Sequence, residues 1–401
     1  MAPSTSHQFR AAAVLYRLVA GQPGLQPDVL PIDGWGPADT QDLTRLTLLE
    51  NATTVLHARL SALPCSFLPT DARTQIGNLA LAWTLKLRLL ERRLGEAVAL
   101  LAAHGIDVTL LKGAALAQTV YRGFVDRPMA DVDLLVDAPR ARQAHALLRE
   151  HGWARIETAM PDVAWDEHHH LTPLSDLSGS GLRLELHTAP LEPGHPFALG
   201  ASELRATASL VPLNGTQVRV PEPHLHAVHA AAHFTWSHRF ESGGLNAMRD
   251  LMALHAAGVL DWDTLVSTAR ASRAEHCCYW ALRLARATAG LAVPDAVLAF
   301  LRPAHGARAL RVLERHLTQV MFRDPTACPS VELRRRLWAA ALCIPHRARV
   351  TDTVWAAVQS TGRGQAAANT AAQRVASVIR RLPRWSRYAA GLMGSAMQAA
   401  E

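Results

Sequence analysis

Two carboxylates stand two residues apart in Ala130-Asp131-Val132-Asp133-Leu134-Leu135-Val136. In an extended chain, residues i and i+2 share a face. Asp131 and Asp133 would therefore project together while Val132 and Leu134 turn to a core. Adjacent carboxylates repel unless a cation lies between them, and Mg²⁺ favours such oxygen ligands in company with phosphate oxygens. A third carboxylate has a similar setting. In Leu182-Arg183-Leu184-Glu185-Leu186-His187 the alternation puts Arg183, Glu185 and His187 on one face and the leucines on the other. If the two strands are neighbours, Glu185 completes a cluster able to hold two metal ions about 4 Å apart and clamp an in-line phosphoryl displacement. For the Asp-x-Asp in isolation, solvated carboxylates at a strand edge are the plainer alternative.

A Lys-Gly pair, Lys112-Gly113, lies about 18 residues upstream of Asp131, between the apolar run Val108 to Leu111 and a helix-like Ala114 to Tyr121. A strand that ends in glycine and passes into a helix leaves backbone N–H groups free at a helix N-terminus, which suits an anion. Gly113 would allow close approach. Lys112 would add a point charge to a triphosphate, or else be solvated at the strand end. The phosphate-loop pattern Gly-x4-Gly-Lys-Ser/Thr is absent. Lys112 also stands out by scarcity: only Lys86 and Lys112 are lysines among 41 basic side chains, a skew that reads as codon bias toward arginine. A lysine that persists against such a bias is a candidate for chemistry needing an ammonium group.

Histidine is abundant, at 20 residues. His168 and His170 of the run His168-His169-His170 could share a strand face, and His170 and His187 could both border the carboxylates if their strands pair. His226, His229 and His233 fall on one helix face. The pair His229 and His233 has a two-ligand zinc spacing but lacks the glutamate of His-Glu-x-x-His, so buried, hydrogen-bonded histidines lining a cleft are the expectation. Arg249-Asp250 reads as an ion pair orienting its helix, with cleft contact as the alternative.

These groups need rigid elements to hold them. Leu79, Trp83, Leu87, Leu90, Leu94, Val98 and Leu101 recur at helical steps and predict a helix from about Gln75 to His104. Beyond Gly105 the pattern predicts a strand at 108–111, a helix from Ala114, a strand at 131–136, a helix at 139–151, and strands at 168–174 and 182–187. After Pro190 the chain reads as mostly helical, with helices at 221–238, 246–257 and 262–273. The expected fold is α+β: a small mixed-sheet core at 105–190, flanked by a helical N-terminal region at 1–104, a helical domain closing the cleft at 191–305, and a basic helical C-terminal region at 306–401.

The stretch from Leu111-Lys112-Gly113 to Val136, followed by Glu185-Leu186-His187, resembles the nucleotidyltransferase superfamily. More narrowly it resembles a bacterial family of uncharacterised nucleotidyltransferases typified by a Lys-Gly turn, an Arg-Pro before Asp-x-Asp (here Arg127-Pro128) and a Glu-Leu-His strand, over roughly residues 75–290. The resemblance implies a nucleotidyltransferase core that uses an NTP, with ATP expected, and Mg²⁺ or Mn²⁺ bound by Asp131, Asp133 and Glu185. Glu185 would be a ligand or a base that activates the acceptor. Lys112, Gly113, Ala114 and Arg127 would bind the nucleotide, with Arg127 as a structural cap on its turn the equal alternative. The superfamily usually carries Gly or Ser where this chain has Ala114, so a hydroxyl contact to phosphate is not available there. His170, His187, His233, Arg249 and Asp250 are further candidates facing the cleft. The acceptor, whether a small molecule, a peptide or protein side chain, or an RNA end, is open. A catalytically silent NTP-binding or protein-interaction module and an RNA-binding regulator are the alternatives.

Composition narrows the classes. With 401 residues, 49% hydrophobic and 19% charged, the chain can bury a large core and is not a disordered protein. The net charge of +7 is uneven: residues 306–401 carry +10, leaving −3 on the remainder. Arg334-Arg335-Arg336 and Arg380-Arg381, with Trp338, Trp385 and Tyr388 nearby, could meet RNA or an anionic membrane surface, although a solvated helix face is the plainer reading. Residues 361–370 read as a linker. Five cysteines without regular spacing point to reduced thiols. The first residues do not read as a signal peptide, and no window is apolar enough to span a bilayer. A cytoplasmic protein is expected.

Overall fold

The computed structural model describes residues 6–21, 29–63, 67–157, 165, 168–328, 330–344 and 388. The proposed linker at 361–370, Arg380-Arg381, Trp385 and Cys65 lie outside the described residues.

Among the described residues, seven strands form one mixed sheet in the order β3-β4-β5-β2-β1-β7-β6. They are β1 (Thr109–Leu110), β2 (Asp131–Leu135), β3 (Trp153–Arg155), β4 (Leu174–Asp176), β5 (Arg183–His187), β6 (Ser209–Leu213) and β7 (Thr216–Val220). The mixed α/β architecture with helical flanks is as the sequence predicts. β2 runs parallel to β5 and antiparallel to β1, so the Asp-x-Asp strand lies at the centre of the sheet. The register sets Asp133 opposite Glu185 and Asp131 opposite Arg183. Val132, Leu134, Leu184 and Leu186 are at most 1% exposed. They form a core with Leu87, Leu90, Leu94, Val98 and Leu101 of the long helix α4 (Thr70–Ala103) and with Leu148 of α6 (Ala138–Glu150). Burial of the alternate residues on these strands forces their polar partners onto the other face.

The boundaries differ from the expected ones where local signals are weak. The predicted strand at 168–174 is replaced by a bend at His168-His169, an isolated bridge between His170 and His187, and a short β4 that begins only at Leu174. The hairpin β6-β7 extends the sheet past residue 190, in a stretch where mostly helix is expected. Its turn is Asn214-Gly215, with φ of +47° and +83°, the left-handed pair that tight hairpins favour.

A second, helical core packs α1 (His7–Ala20) against α9 (Gly244–Ala256) and α11 (Glu275–Ala289), with α8 (Pro223–Ala232) beside them; α7 is the short Ala201–Ala206 and α10 is Trp262–Ala271. α8 continues into a π-helical turn, His233–Ser237, a local departure from α-helical winding that recurs at functional sites. No described helix is long and apolar enough to cross a membrane.

One buried polar node ties α4 to the sheet. Asp176 accepts hydrogen bonds from Arg93 Nε at 3.0 Å, from Ser180 Oγ at 2.5 Å and from Ser178. Burial would raise this carboxyl, but the hydroxyl and guanidinium donors hold it down at about 2. Its stabilisation is therefore present above the ordinary carboxylate range and is lost as pH falls toward that value. Asp176→Asn should cost about 2 kcal/mol at neutral pH, and the gap to the parent protein should narrow below about pH 4. Urea unfolding as a function of pH checks this.

Candidate active site

The chain leaves β1 at Leu110 and enters helix α5 (Lys112–Thr119) through Lys112 at φ +48°. The left-handed residue of this turn is thus the lysine and not Gly113. A non-glycine residue there costs about 1–3 kcal/mol, and such residues cluster at functional sites. Gly113 is required for a different reason: a Cβ on it would come within 2.9 Å of Arg127 Cζ.

The strained turn aims the lysine at the Asp-x-Asp strand. Lys112 Nζ donates to Asp133 Oδ1 at 2.9 Å. His187 Nε2 lies 2.8 Å from the same oxygen and 3.5 Å from Glu185 Oε2. Asp133 is 6% exposed and His187 fully buried. Lys112 is therefore neither solvated nor free at the strand end: its ammonium is engaged by Asp133. Burial would raise the Asp133 carboxyl, but the Lys112 charge and the His187 hydrogen bond pull it well below the usual range. Burial would lower His187 and Lys112, yet the carboxylates hold both above their ordinary values. The His187 hydrogen bond likewise outweighs burial at Glu185 and lowers it. Asp131 is different. It stands at the exposed start of β2. Desolvation by its surroundings, then the charges of Asp133 and Glu185, raise it to about 6.

Asp131, Asp133, Lys112 and Gly113 line a cavity of about 310 Å³. Glu185 does not line it; this side chain sits beside Asp133 on the neighbouring strand. Ligand atoms of Asp133, Glu185 and His187 lie within 4.8 Å of one another. Two carboxylates and an imidazole fit a divalent cation. The donor set thus gains a histidine that the sequence offers only as a cleft neighbour, while Asp131 stands at the rim. Ala114 is fully buried, so its side chain offers nothing to the cavity.

Arg127 also borders the cavity but is engaged elsewhere. Its Nε and a terminal nitrogen each donate to Asp250 at 2.7 Å, and the other terminal nitrogen donates to the Pro128 carbonyl at 3.0 Å. Its guanidinium is thus held by Asp250 of α9 and by the turn's own carbonyl. The expected Arg249–Asp250 pair does not form. Asp250 takes Arg127 and the Tyr121 hydroxyl, whereas Arg249 donates to the Asp126 carbonyl at 2.7 Å and packs over the Tyr121 ring. Neighbours at i and i+1 on a helix point about 100° apart, which prevents a direct pair.

His233 lines the cavity from the π-helical turn. His229 instead bonds the Pro190 carbonyl at 3.0 Å, a buried structural histidine. His170 lies behind the carboxylates, with Nε2 3.7 Å from Glu185 Oε2. The cavity also takes residues not picked out from the sequence: Glu50, Asn51, His238, Asn246 and Arg323. Arg323 donates to Glu50 at 3.1 Å across 273 residues of chain, a pairing with no local signature. In the basic C-terminal stretch, Arg334 pairs with Glu241 and Arg336 with Glu332, while the indole of Trp338 donates to the Thr235 carbonyl and the Tyr388 hydroxyl bonds His316.

A family model described as uncharacterised nucleotidyltransferase matches residues 36–290. No curated protein matches the chain. Among solved structures, the solution structure of the antibiotic-resistance factor ANT(2'')-Ia is similar at 11% sequence identity, with a TM-score of 0.35, over 46% of this chain and 91% of that one.

Proposed function

The chain belongs to the family of uncharacterised nucleotidyltransferases, and from that membership we propose that its central cavity moves a nucleoside monophosphate from an NTP, with ATP expected, to a hydroxyl-type acceptor, releasing pyrophosphate. The observation that carries this reading is the register of β2 on β5, which sets Asp133 directly opposite Glu185, with the Lys112 ammonium bonded to Asp133. A chance strand-edge acid would not be buried as Asp133 is, with a lysine and a histidine both bonded to one of its oxygens.

A divalent ion, Mg²⁺ or Mn²⁺, would be held by Asp133 and Glu185, with His187 and Asp131 as further donors, and when bound it would neutralise phosphate charge and acidify the acceptor hydroxyl. The protein's own residues do the rest. The half-buried Lys112 ammonium would supply a positive charge where phosphate oxygens approach the start of α5. Asp131, whose carboxyl is the easiest of the three to protonate, stands at the rim where an acceptor proton would leave. The Arg127–Asp250 pair holds the turn that carries Met129 and Ala130 along the cavity wall. Cytoplasmic localisation and the nature of the acceptor belong to the same proposal, with a small molecule, a peptide or protein side chain, or an RNA end all chemically suitable.

The test is incubation of the purified protein with each labelled NTP, Mg²⁺ or Mn²⁺ and a host lysate. Label carried from the α-phosphate onto a lysate component by the parent protein and not by Asp133→Asn supports the reading. Tight nucleotide binding without transfer under every condition overturns it in favour of a silent nucleotide-binding module. A finer prediction concerns Lys112. Its compact ammonium sits 2.9 Å from Asp133 in a left-handed turn, and a guanidinium cannot fill the same volume. Lys112→Arg should lower kcat for transfer at least about tenfold despite the conserved charge.

A further inference from the structure

The proposed transfer assigns no step to the run His168-His169-His170, yet the run is built as a site. All three side chains are more than nine-tenths buried. On a straight strand His169 would point away from its neighbours. Here the bend turns all three inward, with ring centroids 4.1, 4.2 and 4.8 Å apart. One ring nitrogen from each lies within 4.8 Å of the other two. The bend is clamped: the His169 carbonyl accepts from the N–H groups of Thr188 at 2.8 Å and Ala189 at 3.2 Å, at the end of β5, and the His168 N–H donates to the Trp165 carbonyl at 3.2 Å.

Two features point to a ligand. The Nδ1 of His169 is buried without a hydrogen-bond partner, a condition that costs about 1–3 kcal/mol when nothing satisfies it. His170 donates from Nδ1 to the Leu171 carbonyl at 2.8 Å, which leaves Nε2 unprotonated. That is the arrangement by which a protein orients an imidazole toward a metal. The Glu185 carboxylate, 3.7 Å from His170 Nε2, stands on the same side.

We propose that His168, His169 and His170 form a zinc-class site, three imidazoles binding one Zn²⁺ behind the carboxylate cluster. Three neutral imidazoles suit Zn²⁺ and disfavour Mg²⁺, which prefers oxygen. Tetrahedral Zn–N bonds of about 2.0–2.1 Å separate ligand nitrogens by about 3.4 Å. Ring rotations of roughly 1 Å reach that spacing from the observed one. The bound ion would brace the end of β5 from which Glu185 and His187 project. This site does not depend on nucleotidyl transfer, and its test reads zinc and not transfer.

Full-length protein, purified without a polyhistidine tag and stripped with a chelator, is titrated with Zn²⁺ against a chromophoric chelator and with Co²⁺ by visible absorption, in excess Mg²⁺ throughout. One tight Zn²⁺ equivalent is expected, and Co²⁺ should give the intense band of a four-coordinate nitrogen site. His169→Gln and, independently, His168→Gln should weaken zinc binding at least about tenfold with circular dichroism unchanged, whereas Asp133→Asn should leave it intact. The site is overturned if no stoichiometric Zn²⁺ binds. It is equally overturned if both histidine variants bind as the parent does, or if Asp133→Asn abolishes binding while the histidine variants keep it.

Discussion

Asp133→Asn is expected to lower label transfer by about 10³-fold or more while leaving the protein folded. Asp133 is the point where the charges of the site meet. Lys112 and His187 both bond its Oδ1, and Glu185 lies opposite it on the neighbouring strand. Asparagine keeps the shape and one acceptor oxygen but removes the charge that would hold a cation and position phosphate. Because Lys112 and His187 then face a neutral partner in a buried place, part of the effect will appear as stability. Breaking one member of a buried ion pair costs about 3–5 kcal/mol. The measurement therefore pairs the transfer rate with urea unfolding, and the rate is read at a temperature where the variant is folded. Transfer within tenfold of the parent by a folded Asp133→Asn would remove Asp133 from the chemistry.

Arg127→Met should have the opposite profile, with a large loss of stability and a nucleotide affinity that changes only as the fold does. Arg127 is 4% exposed and forks onto Asp250, itself 4% exposed, through two contacts of 2.7 Å. Methionine fills the volume but strands a buried carboxylate, at a cost of about 3–5 kcal/mol in unfolding free energy. Arg127→Lys would not keep the fork, because an ammonium cannot make two parallel bonds to one carboxylate. Adding Asp250→Asn to Arg127→Met should recover much of the loss, since the stranded charge is then gone. Urea denaturation of the two single variants and the double variant measures the coupling. If Arg127 instead served phosphate, Arg127→Met would raise KM for the nucleotide with little change in unfolding.

The carboxylate site is legible in the sequence because strand periodicity does two jobs at once. The same alternation that buries Val132, Leu134, Leu184 and Leu186 necessarily aligns Asp131 with Asp133 and Glu185 with His187. Strand order is not encoded locally, and the parallel pairing of β2 with β5 is what converts two motifs into one cluster. The Lys-Gly turn is legible as a place but not in its mechanics. Propensity favours glycine for a left-handed position, whereas Lys112 takes it and Gly113 makes room for Arg127. The β6-β7 hairpin carries a readable signal, Asn214-Gly215 close to Val211, Thr216 and Val218, outweighed by the helical character of the surrounding stretch. The far wall of the cavity is not legible. Glu50, Asn51 and Arg323 converge from opposite ends of the chain through packing of the helical core, and no spacing rule connects them. For the same reason Asp250 cannot be matched to Arg127, 123 residues away, by inspection of its neighbours.

The most direct test of nucleotidyl transfer uses one assay with two labels. The protein is incubated with lysate, Mg²⁺ or Mn²⁺, and ATP labelled either at the α-phosphate or at the γ-phosphate. The predicted result is α-label on an acceptor and γ-label only in released pyrophosphate. Label that reaches the acceptor from the γ position and not from the α position would contradict the proposal, because the protein would then transfer a phosphoryl group and not a nucleotide.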